Sequence, residues 1–216
     1  MTTQPKSGTI KIILGPMFSG KTTELIKEYH KWLSIGKIPI CINYDRDNRY
    51  GDISENNMYN HNLANVKCIH AHCLKDVQQH IITSADIILI NEGQFFDDLV
   101  EYCRTWCEQY GKNIVVCGLD GDFKRKAFGQ IIDLIPLAEE VTKLGSFCAK
   151  CKDGTNGSFT HRISTETEQI VIGTDNYIAL CRQCYIEANG VGIAADGVGI
   201  VADGVADGIA ADDTTP

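Results

Sequence analysis

The segment Gly15-Pro-Met-Phe-Ser-Gly-Lys-Thr22 constrains this chain more than any other. Its spacing, G-x-x-x-x-G-K-[ST], is that of a P-loop, in which backbone N–H groups converge on phosphate oxygens. Lys21 would then reach the β- and γ-phosphates, and the Thr22 hydroxyl would ligate Mg²⁺. A chance match arises about once per hundred chains of this length. Here the match also stands between a strand-like run, 9–14 (TIKIIL), and a helical pattern from Lys21 to about Ile35 closed by Gly36. That is the context the motif needs, because the helix N-terminus adds its positive end to the anion site. Gly15, Pro16, Met17, Phe18, Ser19, Gly20, Lys21 and Thr22 are therefore read as nucleotide-binding.

The rest of residues 1–145 alternates apolar strands with helices. Residues 38–43 (IPICIN), Asp86–Ile90 and Asn113–Gly118 read as buried strands, and Val66–His70 as a weaker one. Leu74–Thr83, Asp97–Tyr110 with Asp97 as N-cap, and Pro136–Leu144 read as helices. Residues 44–65 are polar and read as a long loop. The alternation predicts an α/β fold with a parallel sheet flanked by helices. Ligands bind such sheets at the carboxyl ends of the strands. Three turns fall there: Gly15–Thr22, Asn91–Gln94 and Leu119–Phe123.

Asn91 stands where P-loop proteins commonly carry the carboxylate that holds a magnesium-bound water. Glu92 follows it, and could take over the metal or act as general base toward a substrate hydroxyl. No Asn-Lys-x-Asp segment is present to read guanine, which argues against a GTPase. Motors and helicases usually need more than 216 residues, whereas a small-molecule kinase fits.

Residues 146–189 change character and read as a second, small domain. Cys148-Ala-Lys-Cys151 and Cys181-Arg-Gln-Cys184 form two CxxC pairs separated by 29 residues. Four thiolates at this spacing fit a tetrahedral Zn²⁺ with no open position, hence a structural metal. The 152–180 segment would be a loop clamped at both ends, a lid or lasso. A zinc ribbon for nucleic acid would carry a basic face. Here Lys150, Lys152, Arg162 and Arg182 stand against Asp153, Glu166, Glu168, Asp175 and Glu187. The balance argues against nucleic-acid binding.

From Gly190 the chain becomes an Ala-Asp-Gly repeat, read as a disordered tail over 190–216. Its five Asp (196, 203, 207, 212 and 213), taken from the net charge of -8, leave -3 for residues 1–189. The start, MTTQPKSG, lacks the apolar stretch of a secretory signal. No apolar run approaches the ~20 residues that cross a bilayer. The ten cysteines are accordingly expected to be reduced, in a cytoplasmic protein without membrane contact. Cys41, Cys68, Cys73, Cys103, Cys107 and Cys117 are expected to be mostly small core residues.

Taken in order, the blocks ILGPMFSGKTTEL (13–25), Asp47-Asn-Arg-Tyr50, NEGQFF (91–96), LDGDFKRKAFG (119–129), and Thr160-His-Arg162 with Tyr177 between the CxxC pairs resemble the cellular- and poxvirus-type thymidine kinases over residues 9–186. The resemblance implies transfer of the ATP γ-phosphate to the 5′-hydroxyl of thymidine or deoxyuridine. It also implies Mg²⁺ with ATP, structural zinc and, as is usual in the family, a homotetramer; dTTP is a candidate feedback inhibitor. In that family the residue matching Glu92 is the catalytic base. Asp47, Asn48, Arg49, Asn91, Glu92 itself, Gly93 and Gln94 match nucleotide-contacting positions. Phe123 matches the aromatic stacked on thymine, and Met17 and Leu119 the pocket walls. Thr160 and Arg162 match positions beside the substrate. Gln169, Ile170, Val171, Ile172, Gly173 and Tyr177 match the lasso that holds the base. The chain departs from the family at Asn91, where Asp is usual, at 152–158, near Thr174, and in its tail.

Overall fold

The computed structural model describes residues 7–45, 57–59, 65–170 and 176–190. In chain order, the first part comprises β1 (Ile10–Leu14), α1 (Lys21–Ser34), β2 (Pro39–Tyr44), β3 (Asn57–Tyr59), β4 (Asn65–Lys67), β5 (Ile69–Ala71), α2 (Gln79–Ser84), β6 (Ile87–Ile90), α3 (Leu99–Glu108), β7 (Asn113–Gly118) and β8 (Glu140–Lys143). One six-stranded sheet runs β5-β2-β6-β7-β1-β8, with every pairing parallel.

Successive residues of a strand point to opposite faces, so a strand buried on both sides reads as a continuous apolar run. That is how IILI of β6 behaves, with all four residues buried. Ile88 and Ile90, with Ile114 and Val116 of β7 and Ile12 of β1, meet Leu99, Cys103 and Trp106 of α3. Ile87 and Leu89, with Val115, Cys117 and Ile13, meet Leu25 and Ile26 of α1 on the other face. Two cores thus clamp the sheet and fix the carboxyl ends of β1, β6 and β7 as neighbours. Burial pushes the Cys41 and Cys103 thiols up, as suits core groups rather than nucleophiles.

Several expected elements differ. Pro136–Leu144 is not a helix. A 3₁₀ turn spans Ile131–Leu137, and β8 follows. Pro136 has no N–H for a helical ladder. The open edge of β1 captures the next segment instead, Glu139 N–H donating to Ile10 O (3.0 Å) and Leu144 N–H to Leu14 O (2.8 Å). The helix expected over Leu74–Thr83 is broken into a 3₁₀ turn at Leu74–Asp76 and α2. The break falls at Val77 and Gln78, whose backbones are extended (ψ 122° and 129°). The Asp98 carboxylate accepts the Leu74 and Lys75 N–H groups at 3.1 and 3.0 Å, which a first helical turn leaves unpaired. With that carboxylate engaged, α3 has no side-chain cap, and Asp97 does not cap it. Val66–His70 divides at Cys68. Its first half pairs with β3 as a hairpin inside the expected long loop, and its second half becomes the sheet-edge β5.

Beyond residue 145 come β9 (Ser146–Phe147), β10 (Asn156–Gly157), β11 (Phe159–Arg162), β12 (Tyr177–Leu180) and α4 (Arg182–Ala188). Strands β9/β10 and β11/β12 form two antiparallel pairs. Residues 191–216 of the repeat tail lie outside the described residues. Among the described residues, no helix is long and apolar enough to cross a membrane.

Candidate active site

The turn after β1 reverses tightly. Phe18 (φ 62°) and Gly20 (φ 83°) both lie in the left-handed region. For Phe this costs about 1–3 kcal/mol, the kind of strain kept where a backbone must present its amides. Gly20 then occupies the N-cap of α1. The buried Lys21 Nζ donates to Pro16 O at 2.7 Å, and Ser19 Oγ donates to the same oxygen at 2.8 Å.

The turn after β6 lies beside it. Thr22 Oγ1 donates to Asn91 Oδ1 at 3.4 Å. That oxygen also accepts from the Cys117 thiol at 3.1 Å, while Asn91 Nδ2 donates to Asn43 Oδ1 at 2.8 Å. These partners orient the Asn91 amide with its oxygen toward Thr22. Glu92 is buried at 6% exposure and sits in the left-handed region (φ 54°). Gln94 Nε2 donates to Glu92 Oε2 at 2.6 Å, and Gln94 Oε1 accepts the Leu119 N–H at 3.0 Å. One amide side chain thereby ties the Glu92 carboxylate to the turn after β7. Gly129, with φ 58°, closes the 119–129 segment against Gln94, where a Cβ would lie 2.0 Å from the Gln94 carbonyl oxygen.

A buried apolar cluster lies where these turns meet. Met17, Leu119 and Phe128 are buried together, with Phe95 and Tyr177 packed on them. Phe95 is stacked on Tyr44 with centroids 5.1 Å apart and meets Phe128 edge-on at 5.5 Å. The β11/β12 hairpin reaches over from the second half of the chain. Its alternation turns Thr160 and Arg162 inward. Thr160 Oγ1 accepts the Met17 N–H at 3.0 Å. Arg162 is 4% exposed and gathers the lasso: it donates to the carbonyls of Glu166 (3.0 Å), Glu168 and Gln169 (3.0 Å) and to the Tyr177 hydroxyl (2.7 Å). Its guanidinium also covers the Phe123 ring at 3.8 Å from the centroid. Gln169 Nε2 donates to Asp122 Oδ2 at 3.0 Å, and Ile170 is exposed.

A protein-family model described as "Thymidine kinase" matches residues 8–185. The chain is 43% identical to the thymidine kinase of a Variola virus isolate over 182 residues, covering 84% of this chain and 98% of the relative. It is 42% identical over the same lengths to the thymidine kinases of Vaccinia virus (strain Western Reserve) and Monkeypox virus. The chain belongs to the thymidine kinase family. Domain III of the Thermotoga maritima replication initiation protein DnaA superposes with a TM-score of 0.37 and 20% identity, over 62% of this chain and 54% of that one. That likeness is too slight to bear on a thymidine kinase site.

Within this thymidine kinase framework the three expected turns and the lasso hairpin come together. Asp47, Asn48, Arg49, Val171, Ile172 and Gly173 lie outside the described residues. Four residues that sequence reasoning missed stand against the expected ones: Phe95 and Phe128 in the apolar cluster, Asn43 behind Asn91, and Cys117 beside it. Asn43 carried a signal, as the polar residue that ends the apolar run IPICIN. Phe128 sits in the polar stretch KRKAFG, where nothing marks it as buried.

The four thiols of Cys148, Cys151, Cys181 and Cys184 lie within 4.8 Å of one another. The Cys151 sulfur stands 3.5 Å from that of Cys184 and 3.8 Å from that of Cys181. A ZnS₄ tetrahedron with ~2.3 Å bonds has edges of about 3.8 Å, so the cluster fits zinc. Burial pushes the Cys148 thiol up, but backbone N–H groups of Cys151, Cys181 and Lys150 pull it down further, to about 6. The Cys151 and Cys184 thiols shift the other way, Cys184 pushed up mainly by burial, so the hydrogen bonds of the cluster favour the thiolate at Cys148 alone.

Thr160→Val tests the link between loop and hairpin. It leaves the buried Met17 N–H without its acceptor, and should cost about 1–3 kcal/mol of stability. Thermal denaturation should report a melting temperature several degrees lower.

Proposed function

We propose that this chain is a thymidine kinase that transfers the γ-phosphate of ATP to the 5′-hydroxyl of thymidine or deoxyuridine. The observation that carries this reading is the single amide, Gln94, joining buried Glu92 to Leu119 in the pocket wall, with Met17 of the Gly15–Thr22 loop in the same wall. Donor loop, base and acceptor pocket are then neighbours.

In this mechanism the loop amides and Lys21 hold the β- and γ-phosphates, with Asp47–Arg49 and Asn91–Gln94 as further nucleotide contacts. Lys21 would exchange its bond to Pro16 O for phosphate oxygen. Glu92 accepts the proton of the 5′-hydroxyl as its oxygen bonds to the γ-phosphorus, and the bond from that phosphorus to the β,γ-bridging oxygen breaks to release ADP. The pyrimidine lies among Met17, Leu119, Phe95 and Phe128. Phe123 offers it an aromatic face, the other face being covered by Arg162. Main chain from Gln169 to Gly173, beside Tyr177, holds its polar edge. The closed lasso excludes water, which would otherwise compete for the phosphoryl group.

Magnesium fits beside Thr22 and Asn91, because both offer a neutral oxygen there and the Asn91 nitrogen is turned away to Asn43. When bound, it neutralises charge on the phosphates. Zinc in the four-cysteine clip anchors the lasso and takes no part in chemistry. We further assign 1–145 to nucleotide binding and 146–189 to the zinc-held lasso, in a cytoplasmic homotetramer subject to dTTP inhibition.

The test is ATP- and Mg²⁺-dependent phosphorylation of thymidine by the purified protein. Formation of thymidine monophosphate is the expected result. ATP binding without transfer to any deoxypyrimidine nucleoside would overturn the proposal.

A further inference from the structure

The clip and the pocket are joined by a residue that no motif singled out. Tyr185 directly follows the last cysteine of the clip, on α4, and is 3% exposed. It packs with Cys148, Cys184 and Leu180, so its ring belongs to the core that the four cysteines organise. Its ring also meets Phe159 and His161 on the outward face of β11, at 5.8 and 6.1 Å between centroids. Its hydroxyl leaves that core and donates to the main-chain carbonyl of Phe123 at 2.5 Å. The neighbouring Arg125 lays its guanidinium over the Tyr185 ring at 4.5 Å.

Around Phe123 the other restraints come from the chain's own turn, from Arg125 over the Tyr185 and Phe159 rings, and from the lasso. Asp122 Oδ1 accepts the Lys124 and Lys126 N–H groups at 2.8 and 2.9 Å, which shapes the turn but does not anchor it. Gln169 and Arg162 hold it from the lasso side. The Tyr185 hydroxyl is the hydrogen bond that ties the Phe123 backbone to the clip.

We propose that Tyr185 is a positioning residue for the pyrimidine pocket: through its hydroxyl, the four-cysteine clip sets the place of the Phe123 backbone and so of the aromatic face. The idea rests on the thymidine kinase reading above. It extends that reading by making the clip act on the pocket floor as well as on the lasso ends.

The experiment uses Tyr185→Phe, which keeps the ring with its contacts to Phe159, His161 and the Arg125 guanidinium above it, and removes the hydroxyl with its bond to the Phe123 carbonyl and its interaction with Arg125. Thymidine affinity is measured by calorimetric titration, beside steady-state kinetics, zinc content and the melting temperature. The dissociation constant and KM for thymidine should rise about tenfold, the scale of one well-made hydrogen bond. The KM for ATP, the kcat at saturating thymidine and the zinc content should stay within about twofold of wild type, since one hydroxyl remote from the phosphate loop is removed. A variant that unfolds, or that melts lower with unchanged thymidine affinity, would give the hydroxyl a purely structural role and overturn the proposal. So would an equal rise in the KM values for both substrates. If the wild type phosphorylates thymidine and Tyr185→Phe matches it throughout, only this inference fails. If the wild type neither binds nor phosphorylates thymidine, both readings fall.

Discussion

Glu92→Gln is expected to lower kcat by about 10²–10⁴-fold while the KM for thymidine changes little. The substitution is nearly isosteric, and the new amide still offers an oxygen to Gln94 Nε2, so the tie from β6 to the turn after β7 survives. What disappears is the capacity to accept a proton at a buried position. The left-handed backbone at residue 92 fixes where that capacity stands, and Gln inherits the same geometry. Rapid-quench or coupled assays at saturating ATP and thymidine would separate the outcomes. A variant within tenfold of wild-type kcat would remove Glu92 from the role of base. A variant that loses thymidine affinity instead would make it a binding group.

Replacing Cys184 by Ser, or stripping the metal with a strong chelator, should have the second large effect. Structural zinc supplies folding free energy outright, about 10–16 kcal/mol in isolated zinc-binding peptides. In this chain the clip holds only small hairpins and a seven-residue helix, which have little core of their own. The expected result is loss of about one bound zinc per chain. Proteolysis within 146–189 should become faster, and the KM for thymidine should rise by at least about tenfold as the lasso slackens. The six-stranded sheet has two cores independent of the clip, so ATP binding should persist. A protein with no bound zinc yet full thymidine affinity would show that the cysteines are not a metal clip.

Much of this arrangement was legible in the sequence, for local reasons. Strands β1, β2, β6 and β7 announced themselves because a parallel strand buried on both faces is almost wholly apolar. The turns at their carboxyl ends then followed, and with them Lys21, Asn91, Glu92 and Leu119. The misread elements were decided by partners distant in sequence. Nothing near Glu140–Lys143 reveals that the edge of β1 is open to it. Nothing near Asp98 reveals that its carboxylate will serve the Leu74 N–H and leave α3 uncapped. The site followed the same division. The cysteine spacing pointed to the clip directly, whereas Phe95, Phe128 and Asn43 entered through long-range packing and hydrogen bonding that no local pattern encodes.

The grip of Arg162 on the lasso has a consequence for how this enzyme can vary. Its guanidinium holds Glu166, Glu168 and Gln169 by their carbonyl oxygens, which every residue type supplies alike. The side chains at 166 and 168 can therefore drift without loosening that grip, and selection on the loop's surface is decoupled from selection on its position. The vulnerability is concentrated instead. One guanidinium carries three anchor points, so a single change at residue 162 releases together what many changes along the loop would leave in place.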